Sequence, residues 1–281
     1  MSHARYGQGV ERVGDLIYSV GGEDDSERGY TAAVEAYDPA SNTWIKKADL
    51  PQPGVHLKTV VYNHFLYVIA GYDPLTGTPV PVQFYDPDKD QWTIVPDVVC
   101  DIYDPAVTVW NGRILVSGGY QASGTTLDTV FTFDPATGKR ETVAVMPTPR
   151  FGHTAAVVND SLMVAGGAPN AFGAVRPMSS VVSYDFASKT WSPQASMATP
   201  RMHPSSAVFG GQWFILGGGR QEVLGEVYNP GQNAWIPIPA SDLGNRNQPG
   251  VTSLGDSSLV LIGGYRDTAL ATVESISWMV R

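Results

Sequence analysis

Arg150–Gly167, RFGHTAAVVNDSLMVAGG, and, after a loop, Val181–Trp191, VVSYDFASKTW, form the unit from which the whole chain is built. A basic residue opens an apolar run. A two-residue polar turn, Asn159 and Asp160, leads to a second run closed by Gly166 and Gly167. Beyond a variable loop, Tyr184 and Asp185 end a third run, and Trp191 stands seven residues after the tyrosine. Copies follow at a regular interval: the second glycines, Gly22, Gly71, Gly119, Gly167, Gly218 and Gly264, are 49, 48, 48, 51 and 46 residues apart. The later landmarks keep step, with Tyr37 and Trp44, Tyr85 and Trp92, Phe133 and Arg140, and Tyr228 and Trp235 repeating the same seven-residue spacing. A period near 48 in 281 residues marks a repeat array rather than separate domains.

Each copy reads as a four-stranded antiparallel meander. Asn159 and Asp160 suit the positive φ of a tight hairpin, and the equivalent turns fall at Gly14 and Asp15, Asn63 and His64, Asn111 and Gly112, Gly210 and Gly211, and Gly255 and Asp256. Third strands end at Asp38–Pro39, Asp86–Pro87, Asp134–Pro135 and Asn229–Pro230, where proline presets the turn and the Asx side chain bonds back to the backbone. Such a sheet cannot bury both faces alone. Neighbours must stack, and closing six of them into a ring removes the ends of the stack.

The double glycine, the tyrosine and the tryptophan seven residues beyond it resemble the kelch repeat, and the resemblance covers essentially the whole chain. It implies an all-β fold, a six-bladed β-propeller with four-stranded antiparallel blades. The chain is then a single domain, 1–281, with blades at approximately 1–50, 51–98, 99–147, 148–198, 199–240 and 241–281. Departures are local: Ala70 replaces the first glycine in copy two, Arg140 the tryptophan in copy three, Phe186 the proline in copy four and Ile276 the tyrosine in copy six. Copy six reaches Arg281 before a fourth strand, so the last blade is expected to be incomplete or closed by the N-terminus.

Composition narrows the function. A net charge of −9 and a pI near 4.9 oppose a nucleic-acid partner and an anionic membrane surface. Cys100 is the one cysteine, so no intramolecular disulfide can form and a reducing compartment is favoured. No stretch has signal-peptide or membrane-span character, and a cytoplasmic location is expected. The glycine pairs are not phosphate loops, because no copy continues into a helix. Trp44, Trp92, Trp191 and Trp235, at one fixed repeat position, read as inter-blade core.

The site is sought where the first strands begin, beside the loops joining strands two and three. Nine residues before each hairpin turn stand Arg5, Gly54, Ile102, Arg150, Arg201 and Arg246. Strand alternation makes Gly7, His56, Asp104, Gly152, His203 and Gln248 the next layer, then Gly9, Lys58, Ala106, Thr154, Ser205 and Gly250. If these registers face the axis they build a funnel with arginines at its mouth and His56, Asp104, His203 and Gln248 beneath. Arginine at this position is also similar to the family pattern, in which equivalent residues of some members bind acidic peptides. The alternative for each arginine is packing on a neighbouring tryptophan or bonding of the loop backbone. Tyr72, Tyr120, Arg220, Tyr265 and Arg266, following the glycine pairs, with Asp24 and Asp25, complete the rim.

Two functions fit this layout. The first is a ligand-binding propeller that takes an acidic or carboxylate-bearing partner segment through Arg5, Arg150, Arg201, Arg246, Arg220, Tyr72, Tyr120, Tyr265, Gln248 and Lys58. The second is an isomerase, epimerase or lyase for a small anionic metabolite, with His56, Asp104 and His203 as its acid–base groups. No cofactor and no metal are expected, and the oligomeric state is open.

Overall fold

The computed structural model describes residues 1–26, 29–219, 223–239, 246–255 and 258–277; the expected Asp256 turn position lies outside them. Blade one contains β1 (Gly9–Val13), β2 (Leu16–Val20), β3 (Val34–Asp38) and β4 (Thr43–Lys46), and blade two β5 (Val55–Tyr62), β6 (Phe65–Tyr72), β7 (Pro81–Asp86) and β8 (Gln91–Val99). Blade three contains β9 (Ala106–Trp110), β10 (Arg113–Ser117), β11 (Thr129–Phe133) and β12 (Arg140–Val145), and blade four β13 (Phe151–Val158), β14 (Ser161–Ala168), β15 (Val181–Asp185) and β16 (Thr190–Gln194). Blade five contains β17 (Ser205–Phe209), β18 (Gln212–Leu216), β19 (Val223–Asn229) and β20 (Ala234–Pro239), and blade six β21 (Gly250–Leu254), β22 (Ser258–Ile262) and β23 (Val273–Ser277). Every sheet is an antiparallel meander in chain order; five have four strands and, among the described residues, the sixth has three. No helix among the described residues is long and apolar enough to cross a membrane.

The repeat landmarks have direct structural roles. Asn63, His64, Asn159 and Asp160 all take positive φ, as expected of tight hairpin turns. Tyr37 faces Trp44, Tyr85 faces Trp92, Tyr184 faces Trp191 and Tyr228 faces Trp235 across adjacent strands, with ring centroids 5.0–5.3 Å apart. The seven-residue interval is therefore the arc of one hairpin. Trp92 and Trp235 donate their indole N–H to Ala48 and Ala195 of the preceding blade, at 2.9 and 2.7 Å. Where Arg140 replaces the tryptophan, its guanidinium lies 5.2 Å from the Phe131 ring centre and pairs with Asp101.

The inner strands β1, β5, β9, β13, β17 and β21 contact one another in a closed circle. Among the described residues blades six and one share no strand, and backbone and side-chain hydrogen bonds join them. Gly264 N donates to Arg5 O at 2.9 Å, Arg5 N to Leu270 O at 3.0 Å, and Gln8 Nε2 to Ile262 O at 2.7 Å. The same clasp recurs, with Gly119 N on Arg150 O and Gly167 N on Arg201 O. The double glycine is thus a blade-to-blade joint. Gly166 has φ +69°, and a Cβ there would stand 2.7 Å from Arg201 O, whereas Gly14 has φ +60° and open space. Gly14→Ala is expected to cost only the left-handed penalty of about 1–2 kcal/mol. Gly166→Ala should cost about 1–3 kcal/mol more, because the next blade must move. Urea unfolding of the two variants measures the difference, and equal losses would mean that the joint tolerates the methyl.

Candidate functional site

The four arginines expected at the funnel mouth turn into the blades instead. Arg5, Arg150, Arg201 and Arg246 are 0, 1, 0 and 2% exposed. Each opens a first strand, and each donates to the carbonyl of the first glycine in its own blade: Gly21, Gly166, Gly217 and Gly263, at 3.4, 3.0, 2.7 and 3.1 Å. All four glycines have positive φ, the left-handed backbone that glycine favours. Arg5, Arg201 and Arg246 also pair with Glu35, Glu226 and Glu274. Arg150 has only Ser180 beyond its glycine, and burial lowers its pKa to about 10. Backbone bonding, the alternative weighed for these residues, describes them. Arg220 lies outside the described residues, and Arg266 borders a separate groove beside Arg246 and Glu274.

The second layer does converge. Gly7, His56, Asp104, Gly152, His203 and Gln248 all have left-handed φ, between 47° and 61°. The kink breaks strand alternation and aims these residues along the ring. Gly7 N donates to Gln248 O, Gly152 N to Asp104 O and His203 N to Gly152 O, at 3.1, 3.0 and 2.7 Å, so neighbouring blades bond through this layer. His56 of blade two and His203 of blade five come from opposite sides of the ring, yet their ring centres are 5.1 Å apart. Asp104 lies between them. Its Oδ1 is 2.7 Å from His56 Nδ1, and its Oδ2 is 3.3 Å from His203 Nε2. Glycine in blade four makes the reach possible, since a Cβ on Gly152 would stand 2.7 Å from the His203 ring.

Burial alone would raise the Asp104 carboxyl; contact with His203 and His56, with Lys58 further back, holds it well below the usual range. The second nitrogen of His56, Nε2, lies 3.5 Å from Glu23 Oε1. Below this floor is a channel cavity of about 190 Å³, lined by Lys58, Thr59, Thr154, Ser205 and Ser206 among others. Gln248 stands at the floor beside Gly7.

Aromatic rings surround the floor. Tyr72 is 5.3 Å from His56, Tyr103 5.8 Å from Tyr72, and Tyr120 stacks on Tyr103 at 5.2 Å before meeting Phe151 at 5.3 Å. Across the mouth Tyr6 and Tyr265 pair at 5.1 Å, over a groove that reaches His203 and Gln248. Burial and Glu23 push the Tyr6 hydroxyl up to about 12, and burial raises Tyr72 and Tyr120 as well, so these rings stay neutral donors. Tyr6, Tyr103, Phe151 and Glu23 are absent from the sequence-derived site. The first three share the repeat position immediately after the strand-opening residue, a signal available in the register. Cys100 is fully buried and burial raises its thiol to about 11, which leaves it inert.

Fold and site define a six-bladed propeller with a plugged, aromatic-rimmed mouth, related to kelch-type propellers. The sequence model described as the Attractin/LZTR1 beta-propeller matches residues 1–228, and the chain belongs to that family. Kelch-like protein 36 of Bos taurus is 25% identical over 268 residues, covering 91% of this chain and 35% of that protein. Kelch-like protein 15 of Homo sapiens is 25% identical over 278 residues, covering 90% and 37%. Kelch-like protein terF of Aspergillus terreus is 41% identical over 90 residues, covering 30% and 19%. The chain thus spans little more than a third of the length of relatives that match it throughout.

Proposed function

We propose that the chain is a kelch-type binding propeller that takes a segment of a partner protein in its tyrosine-rimmed mouth. The observation that carries this reading is the arc Tyr72, Tyr103 and Tyr120, backed by the buried Phe151, together with the pair Tyr6 and Tyr265 at the same floor. Tyrosines on a rigid rim supply apolar area and a hydroxyl at small entropic cost. The acidic partner expected from the sequence depended on arginines at the mouth. Their terminal guanidinium nitrogens bond inside the blades, and Glu23, Asp25 and Asp104 now stand among the mouth's charged groups. A basic or aromatic side chain complements such a mouth better than a carboxylate.

The test sets arrayed Lys/Arg- and Tyr-rich peptides against Asp/Glu-rich ones of equal length, with the purified full chain. Binding is expected to favour the basic set and to fall about 10-fold or more in Tyr103→Ala/Tyr120→Ala, the loss of a hot-spot pair. Preference for the acidic set, or an unchanged double variant, would sink the reading. The proximity of His56, Asp104 and His203 also favours an enzyme, an isomerase, epimerase or lyase that uses them for proton transfer. His56→Gln and His203→Gln spare peptide binding in the first case and abolish turnover in the second.

A further inference from the structure

We propose that His56, Asp104 and His203 bind one divalent transition-metal ion of the zinc class at the floor of the mouth. This rests on the cluster alone and not on what occupies the mouth. The ligand atoms of all three residues lie within 4.8 Å of one another. An ion about 2.0–2.2 Å from two nitrogens and an oxygen draws such atoms to roughly 3–4 Å apart, a side-chain adjustment rather than a refolding. Two imidazoles with one carboxylate form a borderline donor set that suits zinc, cobalt and ferrous iron.

Three further observations point to a cation there. Asp104 turns each of its oxygens to a different imidazole, so one carboxylate already gathers the two histidines that would share the ion. His203 Nε2 is buried and has no hydrogen-bond partner, because 3.3 Å to Asp104 is not an aligned approach. Glu23 lies beyond His56 on the Nε2 side. With Nδ1 turned to the ion, the remaining N–H of His56 would lie on the side of this outer carboxylate.

The backbone agrees. Blades one and four fill this repeat position with glycine, the residue a left-handed φ favours, yet blades two, three and five place metal-ligand side chains in the same strained conformation. All six blades share this conformation, Gln248 of blade six included, so it belongs to the repeat; what sets blades two, three and five apart is the ligand side chain each places there. With three protein ligands and the mouth above, a fourth position is open, as in reactive rather than structural zinc sites.

Cobalt(II) titration of the chelator-treated full chain tests the proposal. Wild type should develop visible d–d absorption that saturates at one equivalent and is displaced by one equivalent of zinc(II). His56→Gln and His203→Gln should each lose that one-equivalent transition, while His64→Gln, at an exposed surface pair with Asp88, keeps it. Glu23→Gln should weaken binding about 10- to 100-fold, and it keeps the proposal testable if a ligand variant fails to fold. Absence of a one-equivalent transition in wild type, or its persistence in both histidine variants, would overturn the site. Neither result bears on the Tyr103→Ala/Tyr120→Ala peptide measurement, so failure of one reading remains distinct from failure of the other.

Discussion

Arg201→Ala is expected to destabilise the fold by about 3–5 kcal/mol, the usual consequence of leaving a buried charge without its partner. Glu226 lies at 1% exposure, accepting from Ala198 N at 2.7 Å, Thr199 N at 3.2 Å, and Arg201 Nε and Nη2 at 3.3 and 3.2 Å. With the guanidinium gone, two amides remain and no positive charge. Gly217 O loses its 2.7 Å donor as well.

Arg150→Ala is the matched comparison, since the position corresponding to Glu226 in blade four is Val182. It strands no acid, only the Gly166 and Ser180 carbonyls, so the loss should be nearer 1–3 kcal/mol, about the cost of unpaired buried acceptors. Arg201→Met combined with Glu226→Gln should recover much of the Arg201→Ala loss, because neutral replacement of a buried pair is often tolerated. Urea unfolding at neutral pH reads all three. Were these arginines solvent-facing ligand contacts, Arg201→Ala would change stability by no more than a surface substitution does, and a loss below about 0.5 kcal/mol would establish that.

The ring of blades was legible because its determinants are local and recur: a turn pair, a glycine pair, and a tyrosine facing a tryptophan across one hairpin. The floor was legible for the same reason, since counting back from the turns places His56, Asp104 and His203 at one repeat position. The arginines were misplaced by extending strand alternation through Gly7, His56, Gly152 and His203, which are left-handed and break it. A clue lay in the sequence. Copies one, five and six carry glutamate two residues before the third-strand landmark, at Glu35, Glu226 and Glu274, and each of these copies has the arginine. Copy two lacks the arginine, the glutamate and the first glycine together, having Gly54, Gln83 and Ala70. The three copies with the glutamate all keep the arginine and the first glycine, the pattern of a structural partnership rather than of a ligand contact. Glu23 was not legible because it stands in a loop whose length differs between copies, whereas Tyr103 was, at the repeat position that follows the strand opener.

Two groups outside the mouth, one buried and one half-buried, should give opposite pH dependences that mask each other. His153, 4% exposed, meets Ser117 Oγ at 2.9 Å, and burial, with Arg150 and Lys58 nearby, lowers its pKa well below 6.5. Below 6.5 the unfolded chain takes up a proton that the folded chain refuses, so His153 removes stability as pH falls, by at most about 1.4 kcal/mol per unit. Glu11, which accepts a hydrogen bond from Thr59 at 3.2 Å, is pushed up by burial to about 7 from 4.5. Between those values the folded chain holds a proton that the unfolded chain releases, so Glu11 adds stability as pH falls, with the same limiting slope. From pH 4.5 to 6.5 the two contributions offset; Asp104, held well below 3.8, does not titrate in the folded state there. Glu11→Gln should therefore expose the histidine, losing about 1.4 kcal/mol per unit on acidification relative to wild type, and His153→Gln should gain by a similar amount. Unfolding free energies at pH 4.5, 5.5 and 6.5 decide the matter. Parallel profiles for the three proteins would mean that neither group is shifted, whereas divergence in opposite directions requires both.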